Sequence, residues 1–199
     1  MNDRETKNLV VEAKEYVVQT IRGVGDVATA IVDATSNALI RALNGTRATG
    51  SELRALIAGT VTGTIQGVAQ VGGEVESAAS PIMVGALRGA KQVGKTGIEA
   101  VSATAAALVK EAAEVGGDVG RTAKSAVEGA IKGARDVGMT AEQAASAAAS
   151  GAMIGAGEIS STALDQVRNV VTRTISGVKV VITEPFRSNE PLRSQDRAG

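Results

Sequence analysis

The chain has 199 residues, with 21 Lys plus Arg against 21 Asp plus Glu; it lacks Trp, Cys and His, and Tyr16 and Phe186 are its only aromatic residues. These absences exclude disulfides, thiolate and imidazole zinc sites, thiol nucleophiles and His-based triads, and the charge balance leaves nothing to draw the whole chain to nucleic acid or an acidic membrane. A chain this long can bury a sizeable core, but with 24 glycines and a 44% hydrophobic content made mostly of Ala, Val and Ile, that core is expected to be thin.

Residues 1–7 read as a polar arm. They lack an apolar signal core, and no run of about 18 uncharged apolar residues follows anywhere, so a soluble cytoplasmic protein is expected. From residue 8 onward a register takes over. Apolar anchors fall at Ile21, Leu43, Ile65, Leu87, Val109, Ile131, Met153 and Ile175, each 22 residues after the last. Two residues after each anchor stands Gly23, Gly45, Gly67, Gly89, Gly133, Gly155 or Gly177; Glu111 is the one exception. Within a unit the apolar positions recur at spacings of three and four, as in Val101, Ala105, Leu108, Val109, Ala112 and Val115, which is the signature of an amphipathic helix.

The predicted helices run 8–27, 30–49, 52–71, 74–93, 96–115, 118–137, 140–159 and 162–181. Their joints carry a glycine stop, one residue, and then a polar or acidic start: Gly50-Ser51-Glu52, Gly72-Gly73-Glu74, Gly116-Gly117-Asp118 and Gly138-Met139-Thr140. Thr96 and Glu99 have the spacing of a capping box. The first joint, Ala28-Thr29-Ala30, has no stop, so the first two helices are candidates for one continuous helix. Pro81 lies inside the fourth helix, where it should kink it. Acids gather at helix starts and bases toward their ends, as the helix dipole prefers, with Asp136 and Glu158 against the trend. After Val181 the register fails, and residues 182–199, polar and with Pro185 and Pro191, read as a mobile tail that Phe186 anchors to the last helix.

The fold expected is all-α: about eight amphipathic helices in an up-down or solenoid-like array. The alternative is a rod of one or two very long helices, because 22 is twice 11 and an 11-residue period suits an uninterrupted helix of roughly 260 Å. A second period favours the array. Four residues after the anchor, alternate units carry Arg47, Lys91, Arg135 and Lys179, so the unit is 44 residues, a pair of helices in two different layers.

Three features are candidates for function. The pairs Gly63/Gly67, Gly85/Gly89, Gly129/Gly133 and Gly151/Gly155 lie on one helix face, each glycine at a cost of about 1 kcal/mol in helix propensity, and admit a neighbouring backbone from the same chain or another copy. The basic row Arg47, Lys91, Arg135 and Lys179 could meet phosphates or an acidic partner. Gly94-Lys95-Thr96 with Gly89 matches the end of a P-loop, but the strand that a P-loop needs before it is missing. The carboxylate pairs Glu74/Glu76 and Glu111/Glu114 have no partner base, so no catalytic residue, cofactor, metal or small-molecule substrate is nominated.

At the level of pattern, Thr64-Ile65-Gln66-Gly67-Val68-Ala69-Gln70-Val71 and Val127-Glu128-Gly129-Ala130-Ile131-Lys132-Gly133-Ala134 resemble the eleven-residue repeats of synucleins. The 22-residue period is similar to that of exchangeable apolipoproteins and late-embryogenesis-abundant proteins, a resemblance that implies reversible binding to lipid surfaces. Those families are richer in charge and lack the regular glycine pairs. The chain also resembles the Ala/Gly-rich 22-residue-repeat helical proteins of bacteria, whose function is unknown. The function expected is a non-enzymatic structural scaffold that self-associates through Gly/Ala-rich helix faces into a homo-oligomer or filament. The rivals are a peripheral protein coating a lipid surface or granule, and an adaptor holding an anionic partner by the basic row.

Overall fold

A computed structural model describes residues 3–22, 26–94, 97–173 and 175–182. Among them are eight α-helices: α1 (Asp3–Arg22), α2 (Val27–Leu43), α3 (Ser51–Gln70), α4 (Val75–Gln92), α5 (Ile98–Glu114), α6 (Val119–Ala134, extended by a 3-10 turn over Arg135–Val137), α7 (Ala141–Ile159) and α8 (Ser161–Val171). Their all-helical character is the one expected, and the rod is excluded because helices remote in sequence pack side by side.

The packing order defines two layers. Each helix touches its successor and, along its length, the helix two places on: α1 with α3, α3 with α5, α5 with α7, and likewise α2, α4, α6 and α8. Odd helices therefore form one layer and even helices the other. The 44-residue period is the step along a layer, and the 22-residue period is the step across it. This is an αα-solenoid of four pairs.

The joints form largely as the glycines dictate. Gly72 and Gly116 have φ of +77° and +78°, left-handed values that side chains with a Cβ resist. Beyond them the N–H groups of Gly73 and Gly117 reach back to Val68 O (2.9 Å) and Ala112 O (2.7 Å), closing the helix end in a Schellman arrangement. Asp118 caps α6 by accepting from Arg121 N, and Thr140 with Gln143 forms a reciprocal capping box on α7. The cap expected at Thr96 lies outside the described residues.

Four boundaries differ from expectation. Helix α1 starts at Asp3, so residues 3–7 of the expected arm are helical. The first joint is broken: Asp26 caps α2, its carboxylate accepting from Ala28 N and Thr29 N, two residues ahead of the triplet expected to join the helices. Helix α2 ends at Leu43, six residues short of 49, while Pro81 lies inside α4 where it is expected. Helix α8 stops at Val171, ten residues short, and the chain turns through a two-residue hairpin in which Ile175 and Val178 exchange both backbone hydrogen bonds (3.0 and 2.9 Å). Ser176 and Gly177, with φ of +50° and +79°, supply the two positive angles of a type I′ turn. The β-branched residues around it, Val170, Val171, Ile175, Val178, Val180 and Val181, favour that outcome over helix.

The core lies between the layers and is thin, as the composition requires. Leu39, Ile57, Val61, Ile65, Ile82, Met83, Leu87, Val101 and Leu108 are fully buried, whereas the buried face of α7 consists of alanine and glycine alone. Buried Thr35, Thr60, Thr64, Thr104 and Thr122 donate their hydroxyls to the carbonyl four residues back at 2.7–3.0 Å, so they fill space without leaving an unpaired donor.

Candidate functional site

All eight paired glycines face a helix of their own chain, two places earlier in the same layer. A Cβ on Gly85 would lie 2.5 Å from Val32 O of α2, on Gly129 2.5 Å from Ser80 O of α4, and on Gly155 2.5 Å from Ala106 O of α5; Gly63, Gly67, Gly89, Gly133 and Gly151 are crowded in the same way by α1, α2, α4 and α5. The pairs are the close-approach seams of the solenoid. The helix-propensity cost of each is offset by contact between backbones that no larger residue permits.

Polar contacts follow the same step. Arg88 donates to Asp136 (3.2 Å) and Lys110 to Glu158 (2.6 Å), each from one helix to the next in its layer. Both pairs are 48 residues apart, which explains why Asp136 and Glu158 stand as acids near helix ends: each meets a base of the preceding same-layer helix. Arg54 with Glu99 (3.1 Å) ties the starts of α3 and α5. Glu76 accepts from Asp118 N at 2.7 Å, and that bond holds its carboxyl below the usual range.

Of the basic row, Lys91 and Arg135 lie at the C-terminal ends of α4 and α6, Arg47 lies in the turn after α2, and Lys179 lies beyond the hairpin that follows α8. Arg47, Lys91, Arg135 and Lys179 are exposed, but Lys91 donates to the backbone carbonyl of Asp136 and so acts as a tie between α4 and the turn after α6. Of the phosphate-loop fragment, Lys95 and Thr96 lie outside the described residues, while Gly89 packs against Ser36 of α2. No group of three or more His, Cys, Asp or Glu able to hold a metal occurs among the described residues.

What sequence reading missed is a difference between the two outer faces. On the odd layer, α3 carries no charge from Ala55 to Gln70, α5 none from Ala100 to Val109, and α7 none from Gln143 to Gly157. Their outward residues are small: Ala58 and Thr62 on α3, Ser102, Ala103 and Ala106 on α5, Ser146 and Ser150 on α7, all half-buried. On the even layer α2, α6 and α8 carry charge near their middles, at Asp33, Lys124, Glu128, Asp165 and Arg168, while α4 carries none from Ser77 to Leu87. The 44-residue period held the signal, but reading it requires knowing which helices share a layer.

At the centre of the odd face α5 is recessed. A trough of about 740 Å³ runs over Ala103, Ala106 and Ala107, flanked by Ala58 of α3 and Ile154 of α7. Here the glycine rule breaks. The positions that hold the glycine pair elsewhere are Ala107 and Glu111, and Glu111 is wedged against α3. One carboxylate oxygen accepts from Thr62 Oγ1 at 2.6 Å, while the other is buried with no partner. Burial, aided by nearby Glu114 and opposed by Thr62 and Lys110, pushes the Glu111 carboxyl above its ordinary range.

In comparisons with known proteins, no family model, no curated protein and no solved structure matches the chain.

Proposed function

We propose that the protein is a non-enzymatic structural scaffold that associates with a second copy of itself through the outer face of its odd layer. The observation that supports this reading is the uncharged band of small residues across α3, α5 and α7, set against the charge near the middles of α2, α6 and α8. A band of small uncharged side chains is complementary to its own copy, which is what a two-fold interface needs. The glycine pairs, first candidates for this role, are occupied within the chain, so the contact would rest on the Ala, Ser and Thr residues instead.

The magnitude sets the strength. The band is about 15 Å long and three helices, about 27 Å, wide. That is about 400 Å² per copy, half the usual 800 Å² per partner. A weak dimer is expected, with Kd of about 10–100 µM. Sedimentation velocity over that range should show reversible dimerisation that Ser150→Lys abolishes and Asp33→Lys, on the even face, leaves intact. A strictly monomeric wild type, or equal loss in both variants, would overturn the reading. For the lipid-surface alternative, Ile57, Val61, Ile65 and Leu108 would have to leave the interior, and among the described residues no helix is long and apolar enough to cross a membrane.

A further inference from the structure

Within the odd layer the glycine rule breaks at one joint, α3–α5; in the even layer the α6–α8 joint also lacks the pair, its equivalents Arg173 and Gly177 lying beyond the end of α8. Across the α3–α5 joint, α5 presents Ala107 and Glu111 to α3, and the packing between these two helices is thinner than at the α1–α3 and α5–α7 joints on either side. Directly opposite, in the even layer, α6 meets α4 through Gly129 and Gly133, where a Cβ would come within 2.9 Å of Met83 and Leu87 side chains. A tight seam on one layer facing a wedged seam on the other is the arrangement of a hinge, with α4–α6 as its spine.

Glu111 is the wedge. The charged groups around it do not neutralise it: Lys110 on its own helix is bound to Glu158 of α7 at 2.6 Å, Arg54 of α3 is bound to Glu99 at the other end of the trough, and Glu114 repels. On the far side of α5, Glu76 of α4 is held by Asp118 N and Arg121 of α6 by the Asp118 carboxylate. An ionised Glu111 would therefore hold a charge in the seam with one hydroxyl for partner, a costly state that widening the seam to admit water relieves.

We propose that the α3–α5 joint is a proton-controlled hinge, closed while Glu111 carries a proton and parted about the α4–α6 seam when Glu111 is ionised. The linkage runs in the corresponding direction. An acid whose pKa is raised in the fold binds its proton more tightly folded than unfolded, so the closed form loses stability as pH climbs from the ordinary glutamate range through the raised value.

The absence of cysteine makes site-directed labelling clean. Spin labels at Ala69→Cys and Val115→Cys, exposed positions beside the ends of α3 and α5, report the joint. Labels at Val115→Cys and Gly157→Cys report the α5–α7 joint as a control, since Gly157 is exposed with nothing within 4 Å of an added Cβ. At a dilution where sedimentation shows only monomer, so that the outcome is independent of self-association, raising pH from about 4 to about 8 should widen the first separation by about 2 Å, the spread of ordinary interhelical distances, and leave the control unchanged. Glu111→Gln, neutral at every pH, should hold the first pair closed throughout, and Glu111→Gly, which restores the repeat residue, should do the same. No widening in the wild type, equal widening in the control pair, or widening that persists in either variant would overturn the hinge.

Discussion

At the scale of the residue, glycine carries two opposite roles in the chain, and neighbours decide between them. Gly129 lies on a seam where a methyl group would meet Ser80 O at 2.5 Å and Met83 Cβ at 2.9 Å, whereas Gly157 has open space around it. Intrinsic propensity favours alanine at both helical positions by about 1 kcal/mol. At Gly157 that gain should survive, and Gly157→Ala should stabilise by up to about 1 kcal/mol. At Gly129 overpacking should outweigh it, leaving Gly129→Ala destabilised by about 1–3 kcal/mol. Urea melts of both variants beside the wild type check the sign, and a gain in both would remove the seam role. Sequence spacing identified the glycine pairs, but their contacts two helices back in the chain required the layer order. Glu111 was visible as an exception to the register. Its consequence depended on Thr62, 49 residues away, which no local pattern connects to it.

At the scale of the element, the stops and starts of helices were legible where they rest on local chemistry. Gly138 ends α6 and Thr140 opens α7 because both signals act within a few residues, and the capping box forms as its composition allows. Because the buried face of α7 is alanine and glycine, it gains less from burial than a leucine-rich helix would, and its cap matters correspondingly more. Thr140→Ala should cost about 1 kcal/mol, seen as a lower thermal midpoint, with Thr140→Ser restoring most of it. The end of α8 was not legible, for a physical reason. The anchor register continues through Ile175 and Gly177, while the local preference of Val, Ile and Thr around a Ser-Gly pair favours a hairpin, and there the local preference won. The joint before α2 failed differently: its cap, Asp26, acts from a position that in other units holds Glu114, Asp136 and Glu158 near helix ends, so the register gave no cue for a start there.

At the scale of the whole molecule, stability should be the sum of seams between neighbours and not the property of one central core. This has a consequence for editing the chain. Removing residues 75–118, one full period, joins the turn after α3 to the start of α6 and keeps odd helices with odd and even with even. Removing residues 75–96, half a period, moves α5 into the even layer and its uncharged outer face with it. The first deletion should remain helical with a cooperative melt by circular dichroism. The second should lose cooperativity or aggregate. Equal behaviour of the two would mean that the layers are interchangeable, against the 44-residue pattern. Of this organisation, the pairing of helices was foreshadowed by the basic residue in alternate units; the contrast between the outer faces was not.

The two ends of the molecule are finished in different ways. At the C-terminal end the hairpin folds back, with Val180 buried and Val181 N donating to Ser146 Oγ of α7. At the N-terminal end the position that begins each glycine pair holds Gln19 in α1 and Arg41 in α2, and Arg41 lies 4.5 Å over the Tyr16 ring and within 3.9 Å of Glu12. A helix pair can therefore be added neither before the first nor after the last without displacing a side chain or a turn. A second copy arriving end-on would have to move the Arg41 side chain at one end or the hairpin at the other, so both ends resist end-to-end stacking.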